Sequence, residues 1–137
     1  MAFHYRRNAS GDSVIPAPDF PLDATYAATA KVGDVVKVNG SGNLILAVTG
    51  DTTVAGVLAG LSFDGIGVNP TKGKVHTSGD AVYEAEYVGA GALTVGTAYG
   101  IDGASRMDTA DTTVLIVKIV AVVNSKPYVQ ITARQFV

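Results

Sequence analysis

The chain has 137 residues, a formal net charge of −2 and 16% charged residues, against roughly 25% in an ordinary globular domain. That length suits one domain with a buried core, and the near-zero charge argues against nucleic acid or an anionic membrane surface as partner. With no cysteine, disulfide staples and thiolate chemistry are excluded.

The N-terminal "MAFHYRRNASGD" lacks the apolar stretch of a secretory signal. The longest apolar run, "VLIVKIVAVV" (114–123), is interrupted by Lys118 and is too short for a membrane-spanning helix. A soluble protein made in the cytoplasm is expected. Three of the five prolines, Pro16, Pro18 and Pro21, fall in the first 24 residues. Proline lacks the backbone donor and holds its predecessor extended, so residues 1–24 read as an extended arm preceding a β-domain at 25–137. The arm carries Phe3, His4, Tyr5, Arg6, Arg7 and Phe20, among them arginine and tyrosine, which are enriched where binding energy concentrates. These six are the candidate binding residues, on an arm expected to be splayed in the free protein.

From Thr25 onward strands dominate. "VGDVVKV" alternates imperfectly, "NGSGN" supplies an Asn-Gly hairpin turn, and "LILAV" returns. After "TGDTT", "VAGVLAGL" forms a third strand whose Gly56 and Gly60 mark a bulge or a close backbone approach. Residues 63–73, "FDGIGVNPTKG", are a loop. "KVHTSGDAVYEAEYV" (74–88) carries a further Gly-Asp before Ala-Val. The last strands, "TVLIVKIVAVV" and "YVQITARQFV", flank "NSKP", with Lys118 placed at an edge or snorkelling. Nine to eleven strands and no helix are expected.

The chain repeats itself. "VGDVVKVNGSGNLIL" (32–46) is echoed by "VGTAYGIDGASRMDT" (95–109), an offset of 63, and "TGDTTV" (49–54) by "TADTTV" (109–114), an offset of 60. The repeated unit is strand, Asn/Asp-Gly turn, strand, Thr-rich turn, strand, with turns at 39–42 and 102–105. One such sheet needs its apolar face covered, and a second can cover it. The fold class is therefore all-β: a compact sandwich or barrel-like domain built from internally repeated meander units, with an extended N-terminal arm.

Patterns that carry chemistry are weak. His4 and His76 have no partners at zinc-ligand spacing. His76, Ser78 and Asp80 share residue types with a hydrolase triad, but no nucleophile elbow accompanies them. "GVNPTKGKV" fails as a phosphate loop: five residues separate its glycines, and Val75 follows the lysine. Acidic turns lack an EF-hand register, and with no tryptophan a stacking platform has little support. The sequence reads as neither enzyme nor cofactor carrier.

With its arm and the motifs "GDVVKV", "VAGVLAG", "GDAVY" and "VGTAYGID", the chain resembles the head-decoration (cement) proteins of tailed bacteriophages, by pattern over residues 31–137. The resemblance implies a small all-β protein, often trimeric, that binds the outside of a capsid and holds neighbouring major capsid proteins together, with no catalytic residues, cofactor or metal. It implies a homotrimer and the virion surface as its place. A carbohydrate- or receptor-binding β-domain of a fibre or adhesin is the alternative.

Overall fold

The computed structural model describes residues 2–10 and 17–136; residues 11–16 of the arm, Pro16 included, lie outside them. Among the described residues the chain forms β1 (Phe3–Asn8), β2 (Asp19–Pro21), α1 (Ala24–Ala27), β3 (Val35–Val38), β4 (Leu44–Leu46), β5 (Gly56–Ser62), β6 (Lys72–His76), β7 (Ala81–Ala85), β8 (Tyr87–Val88), β9 (Ala98–Asp102), β10 (Arg106–Asp108), β11 (Val117–Val123) and β12 (Lys126–Ile131). The all-β class is as the sequence indicates, with one short helix that strand periodicity hides. Asp23 caps that helix, accepting hydrogen bonds from Thr25 N at 3.1 Å and Tyr26 N at 3.2 Å. No described helix is long and apolar enough to cross a membrane.

The strands make two sheets, in the orders β1-β7-β12-β11-β9-β10-β8 and β2-β6-β5-β3-β4. Replacing β2 through β6 by β7, β9, β10, β11 and β12 converts the second order into the central five strands of the first. The sequence repeat is thus a repeat of topology, one copy per sheet, in which the third strand of each unit lies beside the first. That arrangement puts β3, whose Val35 and Val36 are fully buried, in the sheet interior and leaves short β4 at the edge.

Backbone hydrogen bonds repeat with it. Gly33 N donates to Leu58 O at 2.9 Å, and Gly96 N to Ile119 O at 2.8 Å. Leu58 N donates to Asp34 O at 2.8 Å, and Ile119 N to Thr97 O at 2.9 Å. Gly33 and Gly96 hold φ of 100° and 94°, a region that side-chain-bearing residues avoid. Register slips between Leu58 and Gly60 against β6, and between Ile119 and Ala121 against β12, so the β-bulge is duplicated as well. A parallel contact recurs too: Leu22 bridges Leu44 in one copy, and β8 pairs with β10 through Tyr87 and Met107 in the other.

Alternation along the strands divides the core. Val35 and Val57 join Phe3, Tyr83, Ile101, Ile119 and Val129 in an apolar cluster shared by both sheets. Val36, Leu58, Val75 and Leu44, facing the other way, pack with Tyr26 and Ala27 of α1. Lys118, between buried Val117 and Ile119, is exposed on interior strand β11; alternation places it outward, not an edge position. The β11–β12 turn is a two-residue one, Asn124 and Ser125 both holding positive φ (51° and 64°), which matches strand twist.

The N-terminal segment is extended, yet it is not a free arm. Phe3–Asn8 pairs antiparallel with β7, Phe3 opposite Ala85 and Tyr5 opposite Tyr83, and Asp19–Pro21 pairs with β6. Each is an edge strand, where the missing donor of Pro21 is tolerated. The C-terminal segment crosses in the opposite direction. Beyond β12, Arg134 bridges Val54, and the Gln135 side chain accepts from Val38 N at 2.9 Å and donates to Val38 O at 3.1 Å. Each end of the chain is therefore fastened to the sheet built by the other half.

Candidate interaction surfaces

The six candidate binding residues separate by strand geometry. Phe3 is 1% exposed and meets Tyr83 edge-on at 6.5 Å; it belongs to the core and is corrected from a partner contact to an anchor. Tyr5 is half-buried, with its ring 4.9 Å from His76 and 6.2 Å from Tyr83, and its hydroxyl donates to Asn8 Oδ1 at 3.1 Å. Phe20 is half-buried and stacks on Phe136 at 5.5 Å, so it ties β2 to the C-terminal segment. His4 sits opposite Glu84. A register slip between Tyr5 and Arg7 breaks the alternation and leaves Arg6 and Arg7 both exposed. Arg6 donates to Glu84 Oε1 at 2.9 Å, and Lys126 lies 3.7 Å from Glu84 Oε2. The hydrogen bond from Arg6, then the charges of Arg6, Lys126 and His4, hold the Glu84 carboxyl below its ordinary range.

The sequence "FHYR" does alternate apolar and polar residues, and that signal marks an edge strand. The prolines on which the arm reading rests lie beyond the end of β1.

The trio His76, Ser78 and Asp80 does not form a relay. The Asp80 carboxylate accepts from both Ser10 N and Ser10 Oγ, and Ser78 Oγ accepts from Asp80 N at 3.1 Å. His76 faces the Tyr5 and Tyr83 rings; its Nδ1 and the Tyr83 hydroxyl are buried without a hydrogen-bond partner among the described residues. Burial lowers the His76 pKa and raises that of Tyr83.

The acidic turn residues serve the backbone. Asp51 accepts from Val48 N at 2.8 Å and Lys37 Nζ at 2.7 Å. Asp111 accepts from Thr113 N at 3.0 Å and Val114 N at 3.1 Å, bonds that lower its pKa. Among the described residues no three His, Cys, Asp or Glu side chains converge as metal ligands do.

Two surfaces escaped the sequence reading. The loop at 63–69 between β5 and β6 displays Phe63 at 58%, Ile66 at 92% and Val68 at 93% exposure. Its apolar residues follow neither a period of 2 nor of 3.6, so no pattern flags them. Asp64 Oδ1 accepts from Ile66 N at 2.9 Å and Gly67 N at 3.3 Å, which fixes the tip and lowers the Asp64 pKa. The second surface is a cavity of about 250 Å³ where β1 approaches β5. Its walls come from residues far apart in the chain. No protein-family model, curated protein or solved structure matches this chain.

Proposed function

We propose that the chain is a non-enzymatic structural protein that binds the outside of a phage capsid, contacts neighbouring major capsid proteins and stabilises the shell as a homo-oligomer, most simply a trimer. One observation carries the binding role: acidic side chains of the turns are engaged by turns and strand ties, while two large apolar side chains, Ile66 and Val68, stand 92% and 93% exposed to water. Apolar side chains held out in water are stabilised when a partner covers them. The capsid as partner rests on the resemblance of "GDVVKV", "VAGVLAG", "GDAVY" and "VGTAYGID" to decoration proteins. Arg6 and Arg7, exposed on a strand anchored by Phe3 and Tyr5, offer that partner charge and hydrogen-bond donors without a large ordering cost.

The test is co-sedimentation of the purified protein with expanded phage capsids lacking their decoration protein, beside a glycan array. Saturable capsid binding that raises the temperature of shell disruption supports the proposal. Glycan binding with no capsid binding would instead make the chain a carbohydrate-binding domain of a fibre or adhesin.

A further inference from the structure

We infer that copies of this chain associate head to tail, the 63–69 loop of one copy seating Ile66 and Val68 in the cavity between β1 and β5 of the next. The inference rests on the self-association within the function proposed above, and not on the capsid.

Knob and hole are both present on one chain. The knob is preorganised: Thr71 N donates to Ser62 O at 2.8 Å across the base of the loop, buried Pro70 anchors its return, and Asp64 holds its tip. The hole is lined by Phe3, Tyr5, Val32, Val57, Ala59 and His76, a mainly apolar and aromatic wall. Its volume of about 250 Å³ falls below the roughly 300–1,000 Å³ of a small-molecule site and suits branched aliphatic side chains. Asp64 is the single charged residue in 63–69, whereas the stretches flanking the hole carry Lys31 beside Val32 and Arg7 beyond Tyr5, Arg6 being paired with Glu84. The charges are complementary.

The same hairpin sets knob and hole at opposite ends of β5. The loop leaves β5 after Ser62, and the cavity lies against Val57 and Ala59 near its other end, roughly 10–17 Å away at about 3.3 Å per residue. With its base closed by the Ser62–Thr71 bond and its tip braced by Asp64, the loop stands away from its own cavity and its knob is free for another copy's hole; run head to tail, that contact is heterologous, between different patches of two copies. Such contacts close into rings when the rotation per step permits, which accommodates a trimer.

Sedimentation velocity on the full chain across a concentration series tests this. The double substitution Ile66→Asp with Val68→Asp removes the knob at fully exposed positions, and Ala59→Arg fills the hole; melting curves establish that each variant folds. The wild type should form a discrete oligomer, and each variant should weaken association at least about tenfold. An equimolar mixture of the two variants should yield heterodimers and nothing larger, because one intact knob then meets one intact hole. Since the chain has no cysteine, Ile66→Cys with Ala59→Cys gives an independent readout, a disulfide between copies on oxidation. An oligomer indifferent to the knob substitutions would overturn this contact while leaving self-association standing. A wild type monomeric at millimolar concentration would overturn both. Knob-dependent binding to phosphatidylcholine–phosphatidylglycerol vesicles by a monomer would assign the loop to lipid instead.

Discussion

Asp34 is 6% exposed and has its carboxylate held by Tyr26 Oη at 2.8 Å and by Lys31 N at 3.0 Å. Burial, and then the bond to Asp34, push the Tyr26 hydroxyl well above its usual pKa, keeping it a donor. Tyr26→Phe should cost about 1–3 kcal/mol in urea denaturation, because it strips a buried carboxylate of a partner; a neutral result would mean that the carboxylate reaches water. Gly56 poses a steric problem. A Cβ there would lie 2.0 Å from the His76 carbonyl oxygen, at a φ of 152°. Gly56→Ala should therefore destabilise by at least about 2 kcal/mol. Gly60→Ala, whose Cβ would sit 3.8 Å from Lys74, should change stability by less than about 0.5 kcal/mol. The sequence marked both glycines alike, and only the neighbouring strand tells them apart. His76 supplies the pH dependence. Its folded pKa lies below the ordinary 6.5 through burial, so below that pH the unfolded chain binds the proton more readily. Stability is then full above about pH 6.5 and declines as pH falls toward the folded pKa. The melting temperature should drop between pH 7.5 and 5.5, above the carboxylate range, and His76→Phe should flatten the slope. Equal slopes in the two proteins would refute this role for His76.

Among elements, β1 reverses an expectation. A detachable arm could be removed without loss, but an edge strand that delivers Phe3 to the shared cluster cannot. Phe3→Ala should cost about 3–5 kcal/mol, a loss seen as a melting temperature lower by about 10 °C or more. Arg6→Ala, which breaks an exposed ion pair with Glu84, should leave the melting temperature almost unchanged. If both variants melt like the wild type, β1 is not engaged in solution. What was legible here followed from local chemistry. Asn39 accepts from Ser41 N and Asn43 N, so the β3–β4 turn is written in its own residues; the β9–β10 turn falls at the matching place but takes its positive φ at Gly103, where the first copy takes it at Gly42. The capping of α1 by Asp23 was equally local but four residues long, too short for periodicity to register. The cavity was illegible for the opposite reason: Tyr5, Val57 and His76 meet across the fold, and nothing near any of them in sequence announces the others.

At the scale of the molecule, the duplication does not produce two modules. Val35 and Val57 of one sheet are buried in the cluster built with Ile101, Ile119 and Val129 of the other, so either sheet alone would present an apolar face to water. Separately expressed fragments 1–78 and 79–137 should each lack a cooperative thermal transition, and mixing them should restore one, detectable by near-ultraviolet circular dichroism. A fragment that melts cooperatively on its own would show that the cluster is not truly shared. The repeat itself was readable because "VGDVVKVNG" and "VGTAYGIDG" share turn chemistry. That the copies occupy different sheets was not, since strand partners are chosen by burial across the whole chain. The exchange of chain ends bears on synthesis. A ribosome delivers the first sheet well before the second, and a protein of two independent halves would fold one half at a time. Here β1 waits for β7, and Val38 and Val54 wait for Gln135, which is made only after every strand of the second sheet. A nascent chain cut short anywhere in the second copy would keep an unfinished first sheet, so incomplete products should be soluble only poorly and degraded quickly.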